Sequence, residues 1–225
     1  MKQGLTEIVY ILDRSGSMAG LEEDTIGGFN AMLKEQQGKE GEALLSTVLF
    51  DSEATVVHDR IPIERAEPLD RTVYRVGGCT ALLDALGGAI HHIRTIHKYG
   101  RQEDRPEKTL FLIMTDGLEN SSRKYSFGEV RKLVEQQKAE AGWEFLFLGA
   151  NMDAVSTASR FGLGDRNHAV SYESDAAGTA LNHRVMNQFV SAARKASSSE
   201  ELHEVFMDAS MLEPIREDYQ KRHRK

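Results

Sequence analysis

Short apolar runs alternate with stretches of helical period along most of the chain. We predict strands at residues 7–13, 44–51, 54–60, 109–115, 143–148 and 168–172, because each is a short apolar run that ends in polar or small residues. Between them, apolar residues recur every three or four positions. This spacing predicts helices at residues 18–37, 82–99 and 153–161, and another between Ser126 and Gly142, where Ser126 and Glu129 form a capping box.

Strands that alternate with helices favour an α/β fold, with a sheet covered on both faces. Only Ser52 and Glu53 separate the second and third strands, too few residues for a parallel crossover, so these strands must be antiparallel. We therefore predict a doubly wound, mostly parallel six-stranded sheet with one antiparallel edge strand. If strands two and three lie on one side of strand one and strands four to six on the other, strands one and four are central neighbours.

The pattern changes after residue 175. A helix is predicted at residues 176–195, and Ser198 with Glu201 caps another one. Because these helices carry too few apolar residues to bury a core of their own, we expect them to pack against the sheet. We thus predict a sheet domain at residues 1–175 and a helical extension at 176–225 whose basic tail, residues 221–225, frays.

Composition places the chain among ordinary globular proteins. It has 225 residues, of which 40% are hydrophobic and 28% charged. The net charge of −7 comes from 28 basic and 35 acidic residues, and creates no overall field that attracts nucleic acid. We expect no nucleic-acid partner.

The number of cysteines and the lengths of the apolar runs indicate the cellular compartment of the protein. Cys79 is the lone cysteine, which rules out an internal disulfide and fits a reducing compartment. The apolar run before Asp13 is too short for a signal-peptide core, and no stretch approaches the ~20 apolar residues of a membrane span. We expect a cytoplasmic protein without a membrane association.

Three oxygen-bearing side chains directly follow the first strand. Asp13, Ser15 and Ser17 alternate along the loop after the apolar run 8–12. Carboxylate and hydroxyl oxygens suit a hard cation such as Mg²⁺ better than a soft one.

Two further donors stand far away in sequence. Thr80 opens the helix at residues 82–99, and Asp116 follows the fourth strand. Ligands of open α/β sheets bind outside the carboxyl ends of strands, where the strand order reverses. Because Asp13 and Asp116 end the two predicted central strands, we expect them to meet there.

The donor set predicts a Mg²⁺ or Mn²⁺ site formed by Asp13, Ser15, Ser17, Thr80 and Asp116. Mg²⁺ takes about six oxygen ligands and keeps several waters. With at most two carboxylates the metal stays electron-poor, so that an Asp or Glu side chain of a partner protein can occupy a remaining position. This chemistry recognises a carboxylate and does not require catalysis.

These motifs, in this order, resemble the metal-ion-dependent adhesion site of von Willebrand factor type A domains. The resemblance covers residues 6–172, and Asp13-Arg14-Ser15-Gly16-Ser17-Met18 is similar to the opening of stand-alone bacterial and phage members. The other similar segments are Phe50-Asp51, Gly77-Gly78-Cys79-Thr80, Ile113-Met114-Thr115-Asp116-Gly117 and residues 147–154.

The resemblance implies a function as well as a fold. In that family a metal at such a site holds a ligand's carboxylate, and intracellular members commonly serve in multiprotein assemblies, some of them beside AAA+ ATPases. We therefore predict a metal-dependent protein-binding module, not an enzyme, within an intracellular assembly. Its partner, pathway and oligomeric state stay open.

Each site residue also has a purely structural interpretation. Asp13 to Ser17 and Thr80 can be helix N-caps, because Asp, Ser and Thr are favoured there. Asp116-Gly117 can be a turn. A structural protein with a vestigial site is a further alternative, which the intact donor set disfavours.

Competing chemistries find less support. A haloacid-dehalogenase-type phosphatase needs an Asp where Ser15 stands, and a tyrosine-phosphatase loop needs an Arg where Ala85 stands. No phosphate-binding Gly-rich loop and no Gly-x-Ser-x-Gly elbow occurs. A metal-assisted phosphohydrolase is the alternative that we retain, with Glu119 and Asp51 as candidate bases.

Two further expectations concern reactive side chains. His91, His92 and His97 share one predicted helix without the i, i+4 spacing of a zinc pair, and we expect them to face solvent. We expect Cys79 to be a packed thiol. Gly27 and Gly28 interrupt the first helix, and we expect them to allow a close approach of its backbone to the sheet.

Overall fold

The computed structural model describes residues 1–223, which form a six-stranded sheet with helices on both faces. The strands are β1 (Lys2–Asp13), β2 (Ala43–Phe50), β3 (Ala54–Pro62), β4 (Pro106–Thr115), β5 (Glu144–Ala150) and β6 (Ala169–Tyr172). The helices are α1 (Glu22–Gln37), α2 (Leu82–Tyr99), α3 (Phe127–Ala141), α4 (Ala154–Ser159), α5 (Ala176–Lys195), α6 (Ser199–Met207) and α7 (Glu213–His223).

The strand order is β3-β2-β1-β4-β5-β6. β1 pairs in parallel with β2 on one side and with β4 on the other, and only the β2–β3 pair is antiparallel. The predicted doubly wound sheet with one antiparallel edge strand is confirmed. Because the order reverses between β1 and β4, a crevice forms at their carboxyl ends.

Two helical layers cover the sheet. On β1, Ile8, Tyr10 and Leu12 belong to the core beneath α1 and α5, whereas Val9 and Ile11 belong to the core beneath α2 and α3. This alternation is the two-residue period of a strand, with both faces apolar because both are covered. The layers hold the two central strands in the middle of the molecule.

The C-terminal helices share the first of these cores. Phe189 of α5, Phe206 of α6 and Ile215 of α7 are all buried in it, so these helices pack on the sheet. The helix α7 was not predicted. Its last turn contains Lys221, Arg222 and His223, for which the prediction of a frayed tail is wrong, while residues 224–225 of that tail lie outside the described part of the chain.

A buried arginine joins α5 to α1. Arg194 donates to the carbonyl oxygens of Gln36, at 2.5 Å, and of Lys39 and Gly41, at 3.0 and 2.6 Å. Carbonyl groups at the end of a helix lack intrahelical partners, and a cation there also complements the helix dipole. Arg194 thus closes the end of α1 and fixes the helix that covers it.

The first helix begins later than predicted. Residues Gly16–Met18 form a 3₁₀ turn, and α1 starts at Glu22 instead of residue 18. Gly20 adopts a φ of 92°. This value is incompatible with a helix, so the chain turns once before α1 can begin.

Helix ends elsewhere follow their sequence signals. Ser126 and Glu129 make the predicted capping box, and Gly142 ends α3 in the left-handed conformation. Ser198 accepts a hydrogen bond from Glu201 N–H at the start of α6. None of the helices in residues 1–223 is long and apolar enough to cross a membrane.

Two expectations about packing are wrong. Gly28 faces α5, not the sheet: a side chain there would collide with the ring of His183, 2.3 Å away. His97 is buried, and its Nε2 lies 2.5 Å from Glu7 Oε2, whereas His91 and His92 are exposed as expected. His97 follows Ile90 and Ile93 on the buried face of α2, which explains its position.

Candidate metal centre

The two central strands bring the candidate carboxylates together. β1 ends at Asp13, β4 ends at Thr115, and Asp116 follows immediately. Thr115 donates its hydroxyl hydrogen to Asp13 Oδ2 at 2.5 Å, and Ser15 N–H donates to Asp13 Oδ1 at 2.7 Å. Both oxygens of Asp13 are therefore oriented by the protein.

The serine hydroxyls connect the first loop to Asp116. Ser15 Oγ lies 3.1 Å from Ser17 Oγ, and Ser17 donates to Asp116 Oδ1 at 2.5 Å. Since Ser17 uses its hydrogen on the carboxylate, Ser15 is the donor to Ser17. Ser17 therefore keeps one lone pair and Ser15 keeps both, so each hydroxyl can still accept a further partner.

Thr80 completes the group, as the surroundings of Gly117 show. A methyl group on Gly117 would lie 2.6 Å from Thr80 Oγ1, 3.2 Å from Ser17 Oγ and 3.5 Å from Ser15 Oγ. Three hydroxyls therefore converge beside the Gly117 backbone. The structure brings all five predicted side chains to one place.

Backbone hydrogen bonds hold the segment of Thr80 against the other two loops. Gly16 N–H donates to Gly78 O at 3.1 Å, and Thr80 N–H donates to Asn120 Oδ1 at 2.9 Å. Asn120 N–H in turn donates to Thr80 O at 3.0 Å. Three segments that are remote in sequence are thus joined around the donor group.

Arg14 faces away from the donors. Its Nε donates to Asp51 Oδ2 at 2.9 Å, and its guanidinium also reaches Thr55 Oγ1 at 3.0 Å. Arg14 therefore fixes the β2–β3 hairpin to the first loop and neutralises Asp51, not Asp13 or Asp116.

Helix capping does not explain these residues, although Ser15 occupies the N-cap position of the 3₁₀ turn Gly16–Met18, because its side chain makes no cap hydrogen bond there. The N-cap positions of α1 and α2 are Leu21 and Ala81, and neither helix has a side-chain cap of the usual kind. Glu119 instead accepts from Leu83 N–H at 2.9 Å in the first turn of α2. Cap chemistry therefore does not account for Asp13, Ser15, Ser17 or Thr80.

The electrostatics of the site call for a cation. Asp13 and Asp116 are 1% and 3% exposed, and within residues 1–223 no Lys, Arg or His side chain pairs with either. Burial raises the pKa of Asp13, and the charge of Asp116 raises it further, while hydrogen bonds from Thr115 and Ser15 lower it. Two buried, uncompensated negative charges are costly, and the oxygen-only donor set fits a hard divalent cation.

Two supporting residues escaped the sequence prediction. Ser174 donates to Asp116 Oδ2 at 3.1 Å, and Tyr74 donates its hydroxyl hydrogen to Asp13 O at 2.5 Å. Ser174 follows the carboxyl end of β6, so its placement at a strand end was a usable signal. Tyr74 lies in an irregular loop, and no sequence pattern points to it.

Two observations bear on other chemistry. Cys79 is exposed, so the expectation of a packed thiol is wrong. The described part of the chain contains no group of three or more His, Cys, Asp or Glu side chains suited to a metal ion. A zinc-type cluster is thus absent from that part, and the hydroxyl-rich group is its candidate metal site.

Comparison with known proteins gives structural matches alone: no family model and no curated protein matches the chain. A von Willebrand factor type A protein from Catenulispora acidiphila aligns with a TM-score of 0.54 and 14% identity, over 83% of this chain and 43% of that one. The von Willebrand factor domain of the pilus tip protein Mfa5 from Porphyromonas gingivalis aligns with a TM-score of 0.56 and 12% identity, over 87% and 98%.

A third match is a mutant of the PilB minor pilin from Streptococcus sanguinis, with a TM-score of 0.58 and 10% identity, over 90% of this chain and 63% of that one. The chain thus spans less than half the length of the Catenulispora protein. At these identities the matches establish architecture only. The strand order, the two helical layers and these neighbours together show that the chain has the fold of von Willebrand factor type A domains.

Proposed function

We propose that this protein is a metal-dependent binding module. In this proposal Mg²⁺, or Mn²⁺, is held by Asp13, Ser15, Ser17, Thr80 and Asp116, and it binds an Asp or Glu side chain of a partner protein. One observation carries the proposal: two buried carboxylates, which pair with no basic side chain of residues 1–223, lie beside three converging hydroxyls.

The composition of the donor set explains why a carboxylate is the expected ligand. The two carboxylates at most balance the charge of a divalent ion, and the three hydroxyls add none. Gly16, Ser17 and Cys79 are exposed around the donors, so the site opens to solvent. A partner's carboxylate can therefore replace a water on the metal.

The surroundings of the candidate bases favour binding over catalysis. Glu119 accepts hydrogen bonds from the N–H groups of Leu83, Ser121 and Ser122. Asp51 pairs with Arg14 and accepts from Glu53 N–H. A general base needs a free carboxylate within reach of the substrate, and both groups are engaged in holding loops.

The proposed setting is a multiprotein assembly. Two of the structural neighbours are pilus components, one of them a tip protein and the other a minor pilin. For this chain we propose an intracellular assembly, supported by its single cysteine and by the resemblance of its first loop to stand-alone members of the family.

Titration with Mn²⁺, followed by electron paramagnetic resonance, tests the metal site. Wild type should bind one ion, and Asp13→Ala should lose that binding. Asp153→Ala, which changes an exposed aspartate at the start of α4, should bind as wild type does. Equal binding by wild type and Asp13→Ala would contradict the site.

A second experiment tests the role of the metal. Wild type should recover partners from lysate in the presence of Mg²⁺. Recovery should be lost when a chelator is added, when Asp13→Ala replaces wild type, or when an excess of a short glutamate peptide competes. Recovery that is equal in all four conditions would contradict the proposal. Hydrolysis of a generic phosphate ester by wild type, abolished in Asp13→Ala, would favour the phosphohydrolase instead.

A further inference from the structure

The segment between β6 and α5 contacts the candidate metal site through one side chain. Ser174 donates its hydroxyl hydrogen to Asp116 Oδ2 at 3.1 Å, while Ser17 donates to Asp116 Oδ1 at 2.5 Å. Each oxygen of the Asp116 carboxylate therefore accepts a hydrogen bond from one hydroxyl, and the two bonds together fix its orientation. Ser17 belongs to the first loop, and Ser174 belongs to a segment at the other end of the chain.

The residues on either side of Ser174 contact the last turn of α7. Arg222 forms an ion pair with Asp175, and His223 Nε2 lies 3.6 Å from Glu173 Oε2. Arg222 also pairs with Asp218 of its own helix at 3.0 Å, which limits its freedom. The last turn of α7 thus holds the segment on both sides of the serine.

Both ends of this contact are anchored in the fold. Asp175 accepts from Gly178 N–H at 2.8 Å and so begins α5, and a side chain on Gly178 would collide with Glu173 O, 2.0 Å away. At the other end, Ile215 of α7 is buried in the core that covers the sheet. The segment is therefore a tight turn pressed between α5 and α7.

We propose that Ser174 is a positioning residue for Asp116, and that Arg222 and His223 of α7 hold Ser174 in place. The inference rests on the proposed metal site and extends it to the C-terminal helices, which carry none of the five donors. Hydrogen-bond partners of ligating carboxylates set their orientation, and their loss typically lowers metal affinity about 10- to 100-fold. An exposed ion pair contributes far less.

The experiment measures Mn²⁺ affinity by electron paramagnetic resonance and the free energy of unfolding by urea in a chelator. Ser174→Ala should weaken Mn²⁺ binding about tenfold, and Ser174→Thr should restore most of it. The matched control is Ser171→Ala, which removes a hydroxyl from the same region. That hydroxyl donates to Met152 O and accepts from Ala154 N–H, and it makes no hydrogen bond with Asp116. This control should leave Mn²⁺ affinity within about twofold of wild type.

The contribution of α7 is tested with charge-matched variants. Arg222→Gln should weaken Mn²⁺ binding about two- to threefold, whereas Lys221→Gln, which removes the same charge from a residue that pairs with Glu217, should not. In a Ser174→Ala background, Arg222→Gln should have no further effect, because Arg222 acts through Ser174.

The outcomes separate this inference from the proposed function. If wild type does not bind Mn²⁺, both fall together. If wild type binds Mn²⁺ but Ser174→Ala binds equally well, or loses no more affinity than Ser171→Ala, the positioning role is overturned while the metal site stands. Additive effects of Ser174→Ala and Arg222→Gln would overturn the part that concerns α7.

Discussion

Thr115 joins the ends of the two central strands by donating a 2.5 Å hydrogen bond to Asp13 Oδ2. Its neighbour Asp116 is held in the same way by Ser17, at 2.5 Å. The end of β4 thus orients Asp13, and the 3₁₀ turn after β1 orients Asp116. A site whose ligands are already oriented loses little entropy when it binds, which favours a functional site over a chance cluster.

The absence of a side chain on Gly117 leaves space beside the three converging hydroxyls, where we expect the metal to bind. In Gly117→Ala the new methyl group would lie 2.6 Å from Thr80 Oγ1, among the converging hydroxyls. We expect Mn²⁺ affinity to fall at least about tenfold, by analogy with the loss of a site-orienting group, while the metal-free protein stays folded. Titration with Mn²⁺ and circular dichroism measure the two effects.

Gly128→Ala is the matched control for Gly117→Ala, because the residue belongs to α3 and, apart from the adjacent chain, no described atom lies within 4 Å of the added methyl. This variant should bind Mn²⁺ as wild type does and be more stable by about 0.5–1 kcal/mol. Equal affinity of both alanine variants would show that the space beside Gly117 is not the metal position.

Metal binding should stabilise the folded protein. At a free Mg²⁺ concentration 100 times its Kd, the free energy of unfolding should rise by about 2.7 kcal/mol relative to a chelator. Asp13→Asn should abolish this increase and, without metal, be at least as stable as wild type, because it removes one of two adjacent buried charges. Urea unfolding with and without Mg²⁺ measures both effects, and an equal Mg²⁺ response of the variant would contradict the site.

The buried ring of His183 should make stability depend on pH. Burial lowers the pKa of His183 from 6.5 to about 4, and within residues 1–223 neither ring nitrogen has a hydrogen-bond partner. The unfolded chain therefore binds a proton between these pH values that the folded protein does not. The contribution of the neutral ring to the free energy of unfolding is fully present above about pH 6.5. It is lost as the pH falls toward 4, and the total loss is about 3 kcal/mol.

His183→Gln isolates this effect, because glutamine does not titrate. Between pH 7.5 and pH 4.5 the free energy of unfolding should fall less in His183→Gln than in wild type. His91→Gln, which changes an exposed histidine of α2, should keep the wild-type dependence. Identical pH profiles for wild type and His183→Gln would mean that the ring is not buried in its neutral form.

The division at residue 175 stays a prediction, and truncation tests it. Without residues 176–225 the chain loses Val185, Met186, Phe189 and Val190, which are all buried against the sheet and α1. Because that face of the sheet would then be exposed to water, we expect residues 1–175 to bind the dye ANS and to lack a cooperative urea transition. A stable, cooperatively unfolding fragment would show an independent sheet domain.

Local signals in the sequence were sufficient for much of the fold. The two-residue spacer between the predicted second and third strands, which is three residues in the structure, allowed only an antiparallel pair, and Ser126 with Glu129 marked the start of α3. These predictions succeed because turn length and capping depend on a few adjacent residues. The predicted start of α1 was wrong because the φ of Gly20 depends on the conformation of the first loop, which the helical period of the sequence does not reveal.

The candidate site divides in the same way. Asp13 and Asp116 could be placed from sequence at the carboxyl ends of two strands, and they were expected to meet on the assumption that these two strands are central neighbours. Tyr74 was missed because its role depends on the path of an irregular loop, whereas Ser174 follows the carboxyl end of β6 and that signal was not used. Gly28 was assigned to the wrong neighbour, since its partner His183 is 155 positions away in the numbering and packs through helix contact alone.

The sequence by itself determined the alternation of strands and helices, the antiparallel edge pair, the two covering layers and the identity of the candidate oxygen donors, because these follow from hydrophobic period, spacer length and side-chain chemistry. The tertiary structure decided which buried groups go without a partner and which segments support the donors. No basic side chain in the described part of the chain pairs with Asp13 or Asp116, whereas Arg14, beside one of them in sequence, pairs with Asp51. Such pairings depend on distances between remote segments, and those distances exist only in the folded chain.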